Sequence, residues 1–504
     1  MKKTEWFKLK GYPHIGLQLT MEDKKNVCSY IKDPRKINEH SFLPFIHKKI
    51  ISRKLRKEYD DYGFRLNDGK RKVFKPKERD IYYANHFDAN IFSYYGFLLN
   101  TKYDKLLKLK GLDDVVTAYR KIPLIIGGEQ IRNKCNIDFA NDVFKFIKDN
   151  KENNLVAVAF DIKGFFDNLK HSKLKKSWCD LYDWPKLNDD HYNVFRNITK
   201  FSYVEENNLF DLFKNEILVK TKSGIIKKKS IDKLKHLHNQ NAIAYCEIKD
   251  IHLIRKKGLI KKNKHIDGVL RGFGICQGSP ISSILANIYM LDFDEYVNNE
   301  VNKVGGLYRR YSDDMVIVCI KEKKEYFINL MERDIKNLVE LEIQKTKTQI
   351  FHFFEDNNRL VCAQEFKGGL NTNSINRNFE YLGLSFDGEV VSLKTSSIAK
   401  YYRKMKLNAR RSKYYSSVID NNTNGQIFKR RLFKKFSYIG ARRRQKYKRV
   451  TGKMDEWKKT KKYNWGNYIT YAKLAIETVD QNIIKSQIKN HWRNLNKEIN
   501  KSKS

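Results

Sequence analysis

Three aspartates and the sequences that flank them are typical of a metal-dependent catalytic site. Asp161 ends the apolar run Val156–Phe160, and Asp313 and Asp314 stand together between two short apolar segments. Adjacent carboxylates in apolar surroundings repel each other, and a bound divalent cation removes that cost. Nucleotidyl transfer uses two such ions, roughly 3.5–4 Å apart and bridged by carboxylates. Oxygen ligands and retained waters favour magnesium, so we expect two Mg²⁺ ions, with Mn²⁺ as a substitute.

Three predicted strands would position these carboxylates. Leu155–Ile162 has the apolar composition of a buried strand, and Gly306–Tyr311 and Met315–Ile320 have the pattern of two strands around a turn. An Asp-Asp pair is also common in ordinary polar turns. The form Tyr-Ser-Asp-Asp, the apolar flanks and the separate upstream aspartate together favour a metal site over an ordinary turn.

The overall charge indicates a polyanionic partner. The chain of 504 residues has 101 Lys plus Arg against 58 Asp plus Glu, a formal net charge of +43. A solvated surface normally mixes signs, whereas cations that neutralise phosphates release condensed counterions. Charge alone does not distinguish RNA, DNA and a membrane surface, but no apolar run approaches the roughly 20 residues of a spanning helix. We therefore expect a nucleic-acid partner and no membrane.

The cysteines and the beginning of the sequence indicate a cytoplasmic location. The seven cysteines are scattered and form no Cys-x-x-Cys pair, which disfavours a zinc site or a disulfide framework. The basic opening residues are not followed by an apolar segment, so we expect no signal peptide.

From about residue 395 the sequence predicts very basic helices. Lys429–Arg449 has eleven Lys or Arg and no Asp or Glu, with aromatic residues between them. Cations bind phosphates, and stacking of an unpaired base on an aromatic ring contributes roughly 1–3 kcal/mol. The aromatic residues can also form helix cores while the cations are solvated, and both can hold at once. The candidate nucleic-acid-binding residues are Arg430, Arg431, Arg442, Arg443 and Arg444.

Five sequence blocks resemble motifs of the reverse transcriptase family, and they occur in the same order as in that family. AFDIKGFFDNLKH around Asp161 is similar to the first catalytic motif, and Tyr311–Asp314 is similar to the motif with the second and third carboxylates. Gln277–Ser283 resembles the segment beside the templating base. Lys347-Thr348 and Phe379–Gly383 resemble the lysine motif and the primer grip that follow.

This resemblance implies an α+β fold of the right-hand polymerase type, with fingers, an antiparallel-sheet palm, a helical thumb and a basic α-helical C-terminal extension. The expected domains are a helical N-terminal extension at 1–70, fingers at 71–155, a palm at 156–390 with an inserted subdomain at about 168–270, and a basic helical thumb and C-terminal region at 391–504.

The resemblance also implies roles for single residues. Asp161 and Asp313 would be the main metal ligands with the backbone carbonyl of Ile162, and Asp314 would complete the acidic cluster. Phe166 falls at the family's steric gate against a ribose 2′-hydroxyl, although packing beside Phe165 is the alternative. The other expected nucleotide-binding residues are Gln277, Lys347 as a proton donor to pyrophosphate or a solvated lysine, and Lys75 and Arg79 at the triphosphate.

Four N-terminal blocks resemble the abortive-infection and defence-associated reverse transcriptases of bacteria. They are Gly11–Gly16, His40–Phe45, Arg79–Ile81 and Ala118–Arg120. Ser283 fits the same branch, because retron and intron enzymes usually have proline there.

Membership of that branch implies an RNA-directed DNA polymerase in antiphage defence that acts with dNTPs, an RNA (a cognate noncoding RNA in some members) and nascent DNA. It also implies a homo-oligomer, and transfer to a 3′-hydroxyl or to a protein tyrosine. The alternatives are a retron or mobile-element enzyme of the group II intron type, and a noncatalytic RNA-binding scaffold. The candidate priming tyrosines are Tyr401, Tyr402, Tyr414, Tyr415, Tyr438, Tyr447, Tyr463, Tyr468 and Tyr471.

Overall fold

The fingers are built around a long two-stranded ribbon. The structure is a computed structural model, which describes residues 6–66, 70–221, 223–263, 265–266, 269–375, 377–418, 427–442, 444–449, 456–464, 466–479 and 481–501. The first elements are β1 (His14–Ile15), α1 (Lys24–Ile31), α2 (Pro34–Asn38), β2 (Phe45–Lys57), β3 (Arg71–Tyr83), α3 (His86–Leu109), β4 (Pro123–Ile126), β5 (Glu129–Asn133) and α4 (Asn136–Asp149). The antiparallel strands β2 and β3 form the ribbon. The N-terminal segment that was expected to be helical therefore contains two helices and then enters this ribbon.

The segment expected to be an inserted subdomain completes two sheets of the fingers. Its elements, with the palm strand that precedes them, are β6 (Leu155–Asp161), α5 (Phe165–Asn168), α6 (His171–Asp180), α7 (Asp189–Thr199), β7 (Ser202–Glu205), α8 (Glu206–Phe213), β8 (Ile217–Lys220), β9 (Ile226–Lys229), β10 (Ala242–Cys246), α9 (Ile251–Lys256), β11 (Lys261–Lys262), β12 (His265–Ile266) and β13 (Val269–Leu270). One sheet has the order β1-β10-β8-β9 and another β11-β7-β2-β3. Ile15, Ile46, Val204 and Tyr245 share one buried cluster across these elements.

The palm is a five-stranded antiparallel sheet with helices on both faces. The elements added here are α10 (Ser282–Tyr289), α11 (Leu291–Asn302), β14 (Leu307–Tyr311), β15 (Asp314–Ile320), α12 (Lys324–Val339), β16 (Gln349–Asp356) and β17 (Arg359–Glu365). The strand order is β14-β15-β6-β16-β17, so β6 and β15 are adjacent central strands. Neighbouring strand pairs are antiparallel throughout.

The central palm strands are buried on both faces, which explains their continuous apolar sequence. Val156, Val158 and Phe160 of β6 pack into the core shared with α10 and α12. Leu155 and Ala157 point to the other face and pack with α4 and the thumb. This alternation is the two-residue period of a strand. Rigid, fully covered strands are suited to hold catalytic groups in fixed positions.

The thumb begins with a small sheet and continues as helices and one ribbon. The elements are β18 (Phe379–Tyr381), β19 (Leu384–Phe386), β20 (Val391–Leu393), α13 (Thr395–Val418), α14 (Lys429–Phe436), β21 (Arg444–Arg449), β22 (Trp457–Asn464), α15 (Tyr468–Val479), α16 (Asn482–Ile488) and α17 (His491–Asn500). The expectation of helices alone did not include the antiparallel pair β21–β22. Aromatic and threonine side chains in these two runs suit a strand. The architecture confirms the predicted α+β right-hand polymerase fold. Among the described helices, none is both long enough and apolar enough to cross a bilayer.

Candidate active site

The palm sheet places the three predicted catalytic aspartates at one end of its adjacent central strands. Tyr311 pairs with Asp314, so Ser312 and Asp313 form the two-residue turn between β14 and β15. Asp314 in turn lies opposite Asp161 in the register of β15 with β6. The amide of Ile162 donates to the carbonyl oxygen of Asp313 at 3.2 Å, which ties the end of β6 to the turn. Asp161 and Asp314, 153 positions apart in sequence, are therefore neighbours through backbone pairing.

The turn itself is in an unusual backbone conformation. Ser312 has a φ of +64°, in the left-handed region that non-glycine residues seldom adopt. Such a conformation costs on the order of 1–3 kcal/mol and persists where the surroundings hold it. The hydroxyl groups of Ser312 and Tyr119 are hydrogen-bonded at 3.0 Å. Tyr119 lies in the Ala118–Arg120 block, so this block contacts the catalytic turn directly.

A buried ion pair supports the turn from below. Arg310 and Asp294 are both fully buried, and the guanidinium donates to the two carboxylate oxygens, with a shortest distance of 2.7 Å to each. The same guanidinium donates to the carbonyl oxygen of Ser312 at 3.1 Å. The Tyr308 hydroxyl donates to Asp294 at 2.9 Å, so the carboxylate has a third donor. Sequence analysis did not identify this pair, because an isolated Arg and Asp give no sign that they meet.

The surroundings of Asp314 raise its affinity for a proton. Desolvation first, and then the charges of Asp313 and Asp161, raise the pKa of Asp314 to about 6. Lys347 opposes this rise, and its ammonium nitrogen lies 2.6 Å from Asp161 Oδ1. A carboxyl group whose pKa rises because of neighbouring carboxylates gains from any added cation.

The donor set at this end of the strands suits a hard divalent cation. Aspartate carboxylates and a backbone carbonyl are the oxygen ligands that such ions prefer. Over the described part of the chain, no three or more His, Cys, Asp or Glu side chains converge closely enough to hold a metal as they stand. In this arrangement the ammonium of Lys347 supplies the positive charge beside Asp161. Burial of Asp314 and the neighbouring charges of Asp313 and Asp161 raise its pKa, so a cation bound here would relieve an unfavourable carboxylate environment.

The charges of two of these aspartates act on Lys77, a cation that sequence analysis did not single out. Burial first, and then the charge of Arg79, lower the pKa of Lys77. Asp161 and Asp313 oppose that shift, which places the Lys77 ammonium within reach of their charges. Lys77 and Arg79 lie on the same face of β3, because side chains alternate along a strand. Lys75 and Arg79, the residues that were predicted, are exposed on the same strand.

Phe166 and Gln277 lie where the fingers join the palm. Phe166 is half-buried beside Phe165, with ring centroids 5.4 Å apart, and its carbonyl oxygen accepts from the amide of Ile275 at 2.9 Å. The carbonyl oxygen of Gln277 accepts from the amide of Tyr82 at 2.7 Å. At Gly278, with a φ of +115°, a Cβ would lie 2.5 Å from the Tyr82 carbonyl oxygen, so only glycine allows this close approach.

The far end of the fingers ribbon also contacts the palm. The Arg377 guanidinium donates to the Gly63 carbonyl oxygen at 3.0 Å and lies 4.1 Å from the centre of the Tyr59 ring. The Asn371 amide donates to the Tyr62 carbonyl oxygen at 2.9 Å. Both ends of the ribbon are thus attached to the palm, and Lys77 lies between them.

The predicted nucleic-acid-binding arginines lie on the thumb. Arg430 and Arg431 are exposed on α14, which buries Leu432 and Phe436 instead. Arg442 is exposed, Arg444 begins β21, and Arg443 lies outside the described residues. No contact links these arginines with the aspartates in the part of the thumb that the structure describes.

One protein-family model matches the middle of this chain. Residues 226–386 match the family model described as reverse transcriptase (RNA-dependent DNA polymerase). The matched segment contains Asp313, Asp314 and Lys347, whereas Asp161 lies upstream of it. No curated protein matches the chain.

Several solved telomerase structures are distantly similar. Apo telomerase from Candida tropicalis truncated from its C-terminal domain is 13% identical with a TM-score of 0.35, and the likeness covers 75% of this chain and 61% of that one. Telomerase from Candida albicans in complex with a TWJ fragment of telomeric RNA is 14% identical with a TM-score of 0.38, covering 93% and 58%. Apo telomerase from Candida tropicalis is 13% identical with a TM-score of 0.37, covering 98% and 66%. The chain spans 58–66% of the length of these telomerases.

Proposed function

We propose that this chain, which carries a reverse transcriptase domain, is an RNA-directed DNA polymerase that transfers nucleotides at Asp161, Asp313 and Asp314. The observation that supports the proposal most strongly is the backbone pairing of Asp161 with Asp314, beside the turn that presents Asp313. The catalytic carboxylates of the family motifs are all present. This disfavours the alternative of a noncatalytic RNA-binding scaffold.

The side chains around the aspartates have separate tasks in the proposed reaction. Asp161 and Asp313, with the Ile162 carbonyl and Asp314, would hold two Mg²⁺ ions. When bound, such ions activate the attacking oxygen and stabilise charge on the leaving group. The attacking oxygen bonds to the α-phosphorus of the dNTP, and the bond from that phosphorus to the bridging oxygen of the pyrophosphate breaks.

The cations of the fingers and palm would bind the triphosphate. Lys77 and Arg79 lie on one strand face that reaches the aspartates, and Lys75 is farther along the same ribbon. Lys347 would give its proton to the leaving pyrophosphate, and the 2.6 Å contact of its ammonium with Asp161 places it at the proposed metal site. Phe166 would exclude a ribose 2′-hydroxyl, and Gln277 would position the incoming nucleotide.

Incorporation of labelled dNTPs on an RNA template with an annealed primer tests the activity. Wild type is compared with Asp313→Ala–Asp314→Ala and with Glu355→Ala–Asp356→Ala, which removes two exposed carboxylates from the neighbouring palm strand. We expect Mg²⁺-dependent incorporation by wild type and the β16 control, and none by the first variant. Equal incorporation by all three proteins would remove the proposed active site.

The proposed biological role is antiphage defence in the bacterial cytoplasm, with a noncoding RNA partner and a homo-oligomeric assembly. The four N-terminal blocks and Ser283 support this branch over a retron or mobile-element enzyme. Phage plaque counts on cells that express wild type or Asp313→Ala–Asp314→Ala test the role, since protection should require the aspartates. Sequencing the copurified nucleic acid identifies the template, and light scattering gives the oligomer number.

Priming from a protein tyrosine is the second proposed start of synthesis. Tyr414, Tyr415, Tyr438 and Tyr447 are exposed, whereas the hydroxyl of the buried Tyr401 donates to the Phe436 carbonyl oxygen at 2.8 Å. The exposed tyrosines are therefore the better candidates. Label from dNTPs should stay on the denatured protein after nuclease digestion, and a product free of protein would exclude this start.

A further inference from the structure

A cavity of about 1010 Å³ lies on the fingers, apart from the aspartates. Its walls come from the N-terminal segment around Tyr12, from β2 and β3 of the ribbon, and from the end of β8 and the segment that leads into β10. Ligand sites commonly have volumes of about 300–1,000 Å³. The cavity is therefore large enough for a nucleotide, and none of its lining residues belongs to the aspartate site.

The floor of the cavity is a rigid polar cluster centred on Glu206. The carboxylate accepts from the hydroxyls of Tyr83 at 3.0 Å and Tyr245 at 3.2 Å. The ammonium of Lys48 lies 2.9 Å from the same carboxylate. With three partners, the charge of Glu206 is compensated inside the protein and does not repel an anionic ligand.

The rim of the cavity is cationic without internal compensation. Lys220, Lys235 and His238 line it and are exposed. Across the described ranges, neither lysine has a carboxylate partner, in contrast to Lys48 below them. Two free ammonium groups over a compensated floor make a site for a phosphate group.

The wall offers groups that recognise a nucleobase. The Tyr12 ring stacks on His86 at 5.0 Å and meets the Tyr83 ring edge at 5.0 Å, while its hydroxyl donates to the Ala84 carbonyl oxygen at 2.8 Å. This ring is therefore fixed before any ligand arrives. The amide groups of Gln18 and Asn241 also line the cavity and can hydrogen-bond to a base edge. Aromatic surface with nearby cations is the combination that binds unpaired nucleotides.

We propose that this cavity binds one nucleotide unit, with its phosphate on Lys220 and Lys235 and its base against the wall formed by Tyr12. The unit is either a free nucleotide or an unpaired nucleotide of a bound RNA, which share this chemistry. A site here would give the fingers either a second contact with the RNA or a sensor for nucleotides. Nucleotide binding in this cavity does not depend on the proposed polymerase activity.

Binding of two probes by the full-length chain tests the site. The probes are fluorescently labelled ATP and a labelled single-stranded RNA of twelve nucleotides, both in EDTA so that metal-dependent binding at the aspartates is absent. Lys220→Glu–Lys235→Glu is compared with Lys227→Glu–Lys256→Glu, which makes the same charge change at exposed positions outside the cavity. Thermal unfolding verifies that both variants are folded.

We expect the cavity variant to bind at least one probe about tenfold more weakly than the control, which corresponds to about 1.4 kcal/mol. Weaker binding of ATP identifies a free nucleotide as ligand, and weaker binding of the RNA alone identifies an RNA nucleotide. Equal affinities of the two variants for both probes would overturn the proposal.

Photocrosslinking gives a second readout, which separates RNA bound in the cavity from RNA bound at the predicted basic surface of the thumb. RNA with 4-thiouridine should form adducts with Tyr12 or with the peptide at 234–245. These adducts should disappear in Lys220→Glu–Lys235→Glu and remain in the control. Adducts confined to the palm and thumb would contradict an RNA nucleotide in the cavity.

Discussion

Replacing Asp294 by Asn tests how the catalytic turn is held. Asp294 forms the fully buried ion pair with Arg310, whose guanidinium also donates to the Ser312 carbonyl oxygen. Removing one partner of a buried pair leaves the other charge uncompensated, which costs about 3–5 kcal/mol. One kcal/mol shifts the Tm of a domain of 150–250 residues by about 2–4 °C. We therefore expect Asp294→Asn to lower the Tm of the palm by roughly 6–20 °C.

A second variant separates stability from positioning. Asp294→Leu–Tyr308→Phe–Arg310→Met removes the pair together with the hydroxyl that depends on it, and apolar replacement of a whole buried pair is often neutral for stability. The Ser312 carbonyl nevertheless loses its donor. Because a misplacement of about 1 Å can cost 10²-fold in rate, we expect a Tm near wild type with about 100-fold lower kcat.

The assay combines differential scanning fluorimetry with single-nucleotide incorporation at saturating dNTP. Glu295→Gln is the control, since it removes the neighbouring surface pair of Lys110 with Glu295, which contributes about 0–1 kcal/mol. The reasoning is refuted if the triple variant keeps wild-type kcat, because the guanidinium then has no part in positioning the turn. It is equally refuted if Asp294→Asn unfolds at the temperature of Glu295→Gln.

Three further predictions concern pH, the triphosphate and the sugar. The pKa of Asp314 is raised to about 6, so its protonated form stabilises the fold at low pH. In EDTA, the Tm of wild type should fall relative to Asp314→Asn as the pH rises from about 4 to about 6, and Mg²⁺ should restore the wild-type Tm above pH 6; parallel Tm curves would contradict the raised pKa. Lys77→Ala should raise the KM for dNTP about tenfold in steady-state incorporation, more than Lys75→Ala, and the reverse order would remove Lys77 from the triphosphate site. Phe166→Ala should increase incorporation of rNTP relative to dNTP in competition assays, and unchanged selectivity would leave packing as the role of that ring.

The sequence predicted three palm strands to within one residue. The expected strands Leu155–Ile162, Gly306–Tyr311 and Met315–Ile320 differ by one residue at one end from Leu155–Asp161, Leu307–Tyr311 and Asp314–Ile320. In β6 and β15, continuous apolar runs bounded by polar residues leave little choice of structure, whereas β14 alternates between buried and partly exposed residues.

The sequence alone did not predict which distant segments pair in the sheets. Local periodicity gives no information that β10 pairs with β1, or that β7 pairs with β2, so the segment at 168–270 was taken as an insertion when it completes two sheets. The ion pair of Arg310 with Asp294 was not predicted for the same reason. Lys77 lies between the predicted residues Lys75 and Arg79, and strand alternation in the sequence gives all three the same face, so it could not single out Lys77.

The central claim is that Asp161 and the distant pair Asp313 and Asp314 bind one pair of divalent ions. Anomalous diffraction from crystals grown with Mn²⁺ and a nonhydrolysable dNTP analogue measures this directly. We predict two Mn²⁺ peaks roughly 3.5–4 Å apart, with oxygen atoms of Asp161 and Asp313 as ligands to them. Mn²⁺ bound to the analogue with no ligand from Asp161, Asp313 or Asp314 would contradict the claim.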